Sequence, residues 1–210
     1  MSGYRNPKAL GLGPCDRMVA LTLSFIKPAM FLRLFFWRGV ACALAFAVLA
    51  CTPRYDWREV RAGGAEVLLP AKPQNQTRAV NLSGTSVDMT MHAARIGDET
   101  YAYSWVEVPP GEAAASLAAM RAALLRNIDG QLIASRAVAL ARTESGATPL
   151  AGEEIEATGH IGANAVVLHA RLAYRAGHVW QFAVYGPQAE LASATGRQAL
   201  ETFLLSAKVD

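Results

Sequence analysis

The residues from Gly39 to Ala50 form an uninterrupted apolar run of twelve that ends on Cys51, and this run divides the chain. As a helix it would span about 18 Å, against a hydrocarbon core of roughly 30 Å. Stretching it back to Phe31 reaches twenty residues but takes in Arg33 and Arg38. A short cleavable signal therefore fits better than a permanent anchor. The charge divides at the same place. Six of the 20 Lys/Arg precede Cys51 with one acid, Asp16; the 160 residues from Cys51 onward carry 14 basic and 16 acidic side chains. The net charge of +3 thus belongs to the leader, and the body offers no basic excess for nucleic acid. Cys15, Cys42 and Cys51 are the only cysteines, so the rest of the chain must be held by its core without disulfides. A chain of that size can do so, burying roughly 68–70% of its unfolded surface.

Read from Met30, a basic start (Arg33, Arg38), the apolar run and small residues before Cys51 reproduce the three regions of a secretory signal. Val48-Leu49-Ala50-Cys51 resembles the lipobox of bacterial lipoproteins. That resemblance implies cleavage before Cys51 and acylation of its thiol, the side-chain nucleophile suited to taking a diacylglyceryl group. Each buried acyl CH₂ contributes about 0.8 kcal/mol to membrane attachment. Thr52, where lipoproteins retained in the inner membrane carry Asp, implies the periplasmic face of the outer membrane, with the inner membrane as second choice. The expected organisation is residues 1–29 as an over-extended start or leader, 30–50 as signal peptide, 51–64 as tether and 65–210 as one domain.

Within the body, Glu66–Pro70 and Thr77–Leu82 read as short strands. Ser86–Ile96 and Glu99–Val108 form a hairpin about Gly97-Asp98, with glycine first in a two-residue loop. Val87, Met89, Met91 and Ala93 then share a face with Ala102, Ser104, Val106 and Val108, and the other face carries Thr90, His92, Tyr101, Tyr103, Trp105 and Glu107. From Glu112 to Asp129, Ala113, Leu117, Met120, Leu124 and Ile128 make one helical stripe that needs an apolar sheet face, with Gly130 as C-cap. Gln131–Arg142 reads as extended chain, Glu153–Thr158 as a short strand, and Asn164–Tyr185 as a second hairpin. A three-residue loop there, Arg175-Ala176-Gly177, gathers Leu168, Ala170, Leu172, Tyr174, Trp180, Phe182 and Val184 on one face, leaving His169, Arg171, Gln181 and Tyr185 on the other. A two-residue loop would instead place Gln181 among the apolar set. A final helix covers Ser193–Ser206.

The expected fold class is α+β, an antiparallel sheet built from hairpins with two main helices packed on it. The start of the body, Tyr55-Asp56-Trp57-Arg58, resembles a group of small uncharacterised proteobacterial lipoproteins, and the closing Phe203-Leu204-Leu205-Ser206 resembles the Phe-Leu-x-Ser-Phe end of PsbP-like and Mog1-type α/β-sandwiches, with Ala207 in place of the second Phe. The resemblance implies that sandwich and an envelope setting, and no catalytic residue.

No nucleophile elbow, zinc-protease helix, phosphate loop or Cys-x-x-Cys is present. His92, His160, His169 and His178 lack ligand spacing, so neither metal nor cofactor is expected, and Glu153, Glu154, Glu156 and His160 read as a solvated acidic edge. The candidate binding face joins His92, Tyr101, Tyr103 and Trp105 to His169, Arg171, Gln181 and Tyr185, because aromatic residues and Arg favour recognition surfaces. The alternative is that the last helix covers this face, or that it lies exposed without a role. Trp57 is expected to pin the tether to the domain. The functional expectation is a non-enzymatic accessory or binding module, held to the membrane through Cys51, with an envelope protein or small ligand as partner and no nucleic acid. The competing expectations are a small periplasmic enzyme, and a domain held by an uncleaved N-terminal helix.

Overall fold

The structure, a computed structural model, describes residues 53–210; the leader, the lipobox and Cys51 lie outside the described residues. Ten strands run β1 (Arg58–Ala62), β2 (Ala65–Leu69), β3 (Gln74–Leu82), β4 (Thr85–Ile96), β5 (Glu99–Glu107), β6 (Gln131–Arg142), β7 (Leu150–Ile161), β8 (Asn164–Arg175), β9 (His178–Gly186) and β10 (Lys208–Val209). Helix α1 (Ala113–Asn127) lies between β5 and β6, and α2 (Gln188–Leu191) and α3 (Ala194–Ser206) lie between β9 and β10. The strand order is β1-β2-β10-β6-β7-β8-β9-β5-β4-β3. All pairs are antiparallel except β10 with β6.

The expected sheet with two main helices packed on it is overturned. Strands take 55% of the described residues and helices 20%, in one mixed ten-stranded sheet. Most of the difference lies in β6 and β7, each twelve residues long where extended chain and a six-residue strand were expected. Much of β6 is exposed on both sides, so its sequence lacks the alternation that marks a half-buried strand. The presumed tether also enters the fold, since Arg58–Ala62 pairs with β2 as a strand.

The first hairpin has the expected register, with Ile96 opposite Glu99 and Gly97 at a φ of 58°. The second does not. Arg175 pairs with His178, leaving a two-residue loop in which Ala176 and Gly177 both adopt positive φ, 48° and 86°. Such a turn matches the twist of the flanking strands. Gly177 is required twice over, by its φ of 86° and because a Cβ there would lie 2.7 Å from Val108 O, while its backbone oxygen accepts from Val108 N. An alanine in the left-handed region is uncommon, and the three-residue loop reads better from sequence because it keeps Gln181 off the apolar face. At the end of α1 the left-handed residue is Asp129 (φ 44°) and not Gly130, whose missing Cβ is needed for the close approach of Ile128 and Thr158 O.

Two cores result, one on each side of the central strands. The first joins Tyr101, Tyr103, Trp180, Phe182 and Val184 to Val67 and Leu69 of β2, Phe203 and Leu204 of α3, and Val209. The second packs Met120 of α1 and its C-cap residue Ile128 against Val106, Ile155, Leu168, Leu172 and Ala183. The expected stripe on α1 therefore finds its sheet face, partly on β7 and β8.

Candidate functional site

Strand register decides which of the candidate residues meet. With β9 one residue out of the expected register, every side chain on it changes face. His92, Tyr101, Tyr103 and Trp105 stand beside Trp180, Phe182 and Val184, with His169 and Arg171 next along the same face. Gln181 and Tyr185 turn to the other side, where Gln181 is opposite Ser104 and Leu172. Six of the eight candidates thus share a face and two do not.

The shared face is interior. Tyr101 and Tyr103 are fully buried, and Tyr103 stacks on Phe182 (5.0 Å between centroids) and Trp105 (5.2 Å), while His92 stacks on Trp105 (5.3 Å). The β1–β2 turn closes over these rings. Tyr103 Oη donates to Ala62 O (2.7 Å), Trp180 Nε1 donates to Gly63 O (2.7 Å), and a Cβ on Gly63 would fall 2.2 Å from the Trp105 ring. Burial pushes both tyrosine hydroxyls well above their ordinary pKa, with Glu99 adding to the effect on Tyr101 and Asp210 on Tyr103. Burial holds the His92 imidazole below its ordinary value; it does the same to His169, opposed in part by Glu156 and Glu154. The expected recognition surface is therefore a core, covered by the N-terminal hairpin as well as the last helix.

Arg171 is tied into that core. It donates to Glu154 Oε2 (2.7 Å) and to Leu204 O on α3 (2.9 Å), and Arg136 bonds the other Glu154 oxygen. Burial alone would raise the Glu154 carboxyl, but the bonds from Arg136 and Arg171 hold it below the ordinary range. Glu153 accepts from Arg121 of α1 (2.7 Å) and from Ser135 (2.6 Å). The acidic run expected at a solvated edge instead lies on β7, paired on both sides by β6 and β8. The charges of Glu153 and Glu154 are paired with neighbouring strands and α1.

At one end of the sheet the residues just after Cys51 are fastened down. Glu99 has no exposed surface and accepts from Arg54 Nη2 (2.9 Å), Tyr55 Oη (3.1 Å) and Tyr101 Oη (2.8 Å). Arg54 also reaches Glu190 (3.0 Å), and Asp56 N donates to Pro70 O (2.8 Å). Tyr55 and Trp57 pack against the first core. A buried carboxylate is tolerated only when its charge is paired and its lone pairs are filled, and here the N-terminal segment supplies two of three donors.

The face under α1 is different. Between the C-terminal half of the helix and strands β4, β5 and β9 lies a cavity of about 240 Å³, lined by Met89, Met91, Met120 and Leu124 together with Ala102, Ala123 and Ala183. Its polar groups are Thr100, Ser104, Gln181, Tyr185, Asn127 and, as the one charge, Arg78. Ser104 is 1% exposed, and its hydroxyl has no hydrogen-bond partner among the described residues. A buried hydroxyl left unbonded costs about 1–3 kcal/mol, so an apolar hollow with an idle donor is the pattern of a ligand site. In the sequence, Ser104, Met89 and Met91 read as part of the apolar sheet face of the first hairpin. The one available signal was a serine in the middle of the apolar face of a central strand.

No family model matches the chain, and no curated protein matches it. Several solved structures are similar in shape, among them the following two. One is cyanobacterial PsbP from Synechocystis sp. PCC 6803, at 18% identity and a TM-score of 0.48, covering 77% of this chain and 96% of that one. The other is a Pseudomonas aeruginosa protein of unknown function described as a putative regulator, at 13% identity and a TM-score of 0.35, covering 70% of this chain and 95% of that one. Similarity at these levels carries nothing about chemistry.

Proposed function

We propose that the protein is a lipid-anchored, periplasm-facing envelope module that binds a small, mainly apolar ligand without transforming it. The observation that carries the binding reading is the methionine-lined cavity under α1 with the unbonded Ser104 hydroxyl inside it. Its lining supplies contact surface and a few hydrogen bonds; methionine in particular adapts its shape to irregular apolar partners. The anchor is read from the lipobox ending at Cys51, with the outer membrane as the expected address. The clamp on Glu99 supports a domain held close to its anchor: three residues of extended chain reach about 10–11 Å at most, so a lipid on Cys51 lies within that distance of Arg54 along the chain.

Envelope fractionation with palmitate labelling tests the anchor. Wild type should incorporate label and sediment with membranes, and Cys51→Ala should do neither. An unlabelled Cys51 in the mature protein, still joined to the apolar segment before it, would remove the anchor from the proposal and favour an uncleaved N-terminal helix.

A further inference from the structure

The cavity has a direction. It shares Thr100, Ile161 and Tyr185 with a second, more polar hollow of about 420 Å³, lined also by Arg95, Asp98 and Asn164. This hollow lies where the Gly97-Asp98 turn, the β7–β8 turn at Gly162 and the end of β9 come together. It is the same end of the sheet at which Arg54 is fastened, since Glu99 directly follows Asp98 and a Cβ on Gly97 would stand 3.8 Å from the Glu190 carboxylate that Arg54 also bonds. Thr100, between Glu99 and Tyr101, faces the cavity while those two neighbours face the clamp. The apolar part lies deep under α1 and the polar part at the mouth, where Ile161 is 42% exposed and the Arg95 guanidinium, 70% exposed, is shared only with Asp98 and Gly97 O.

We infer that the cavity holds the hydrocarbon chain of a single-chain membrane amphiphile, with an anionic head such as a carboxylate at the Arg95–Asn164 mouth. This rests on the anchored reading, because Arg54, fastened at this end of the sheet, follows Cys51 by three residues in the chain. Four features agree on that occupant. The lining is mostly methionine, leucine, isoleucine and alanine. The hollow grades from mainly apolar to mainly polar along its length. The polar end carries the Arg95 guanidinium, paired with Asp98 but 70% exposed, while Arg78 lines the apolar part. On the anchored reading the acylated Cys51 stands three residues before Arg54 in the chain. Ser104 and Gln181 lie part-way along the lining and set where a polar group on the chain would be accepted.

The test uses the mature, lipid-bearing protein in vesicles of phosphatidylethanolamine and phosphatidylglycerol, with dansyl-undecanoic acid as the probe and its fluorescence as the readout. Wild type should bind with saturation and be displaced by palmitic acid. Ala123→Trp, which fills the cavity from the helix, and Ile161→Asp, which puts a like charge at the mouth, should each weaken binding about tenfold or more. Leu205→Asp, 65% exposed on α3 and away from the cavity, should bind as wild type does. Circular dichroism confirms that each variant is folded; should Ala123→Trp fail to fold, Ile161→Asp at its exposed position decides alone. Failure of wild type to bind, or binding by Ile161→Asp equal to wild type, overturns the inference. Palmitate labelling of Cys51 in the same preparation judges the anchor separately: label without probe binding leaves the anchored module standing and removes this ligand, while probe binding without label keeps the ligand and removes the anchor.

Discussion

The two faces of the central strands use the same β5 and β9 backbones for opposite ends. On one, Tyr101, Tyr103, Trp105, Trp180 and Phe182 are stacked, hydrogen-bonded and closed over by the β1–β2 turn and α3. On the other, smaller and softer side chains leave an open hollow beneath α1 and two buried hydroxyls, Ser104 and Ser116, unbonded among the described residues. Aromatic and charged residues look like a recognition surface when read along the chain, yet here they belong to the first core or pack against it. The apolar face that reads as ordinary core keeps the room. A face rich in aromatic rings is suited to recognition only if nothing covers it, and cover comes from segments distant in sequence.

That contrast can be broken by substitution. The largest loss is expected for Trp180→Ala, which removes a fully buried ring and its bond to Gly63 O: about 3–5 kcal/mol, read as a lower urea midpoint. A value under 1 kcal/mol would mean that the aromatic face is not the core described here. Glu99→Ala strips the acceptor from Arg54, Tyr55 and Tyr101 and should cost about 3 kcal/mol. It should also free the N-terminal segment to faster amide exchange; unchanged exchange at Tyr55–Trp57 would count against the clamp. Gly63→Ala meets both the Trp105 ring and a φ of 55°, and a loss of about 1–3 kcal/mol is expected in the same denaturation assay. Ser104→Ala sharpens the comparison from the other side. Removing an unbonded hydroxyl should leave stability unchanged or raise it by up to about 1 kcal/mol, and a marked loss would show that the hydroxyl has a protein partner.

Titration offers a further distinction. His92 and His169, both on the covered face, are held below the ordinary imidazole value, so the unfolded chain takes up protons more readily as pH falls. Their contribution is complete above about pH 6.5 and is lost as pH drops through the folded values. The urea midpoint should therefore decline on acidification below about pH 6.5, and less so in His92→Phe. Glu154 adds a separate loss only in more acid solution, below the usual carboxylate range, where Arg136 and Arg171 lose their acceptor.

The β4–β5 hairpin was legible because Gly97-Asp98 stands between two alternating runs, and α1 because its apolar positions recur on one stripe. The β8–β9 turn was not. Its register depends on Ala176 accepting a left-handed conformation, which only the surrounding strands make favourable, and a slip of one residue sent Gln181 and Tyr185 to the cavity side. Strands β6 and β7 were under-read for a related reason: their charged residues are satisfied by neighbours far along the chain, as Glu154 is by Arg171, and leave no alternating apolar pattern behind.

The order of residues alone establishes the apolar run that ends on Cys51, the lack of cysteine after it, the first hairpin and the face of α1 that must be buried, since each follows from local periodicity, turn chemistry or residue count. Which sheet face is sealed and which stays hollow was settled only when β1, β2 and α3 closed over one side. That choice depends on contacts between segments more than a hundred residues apart, such as Trp180 with Gly63, and no pattern within either segment encodes it.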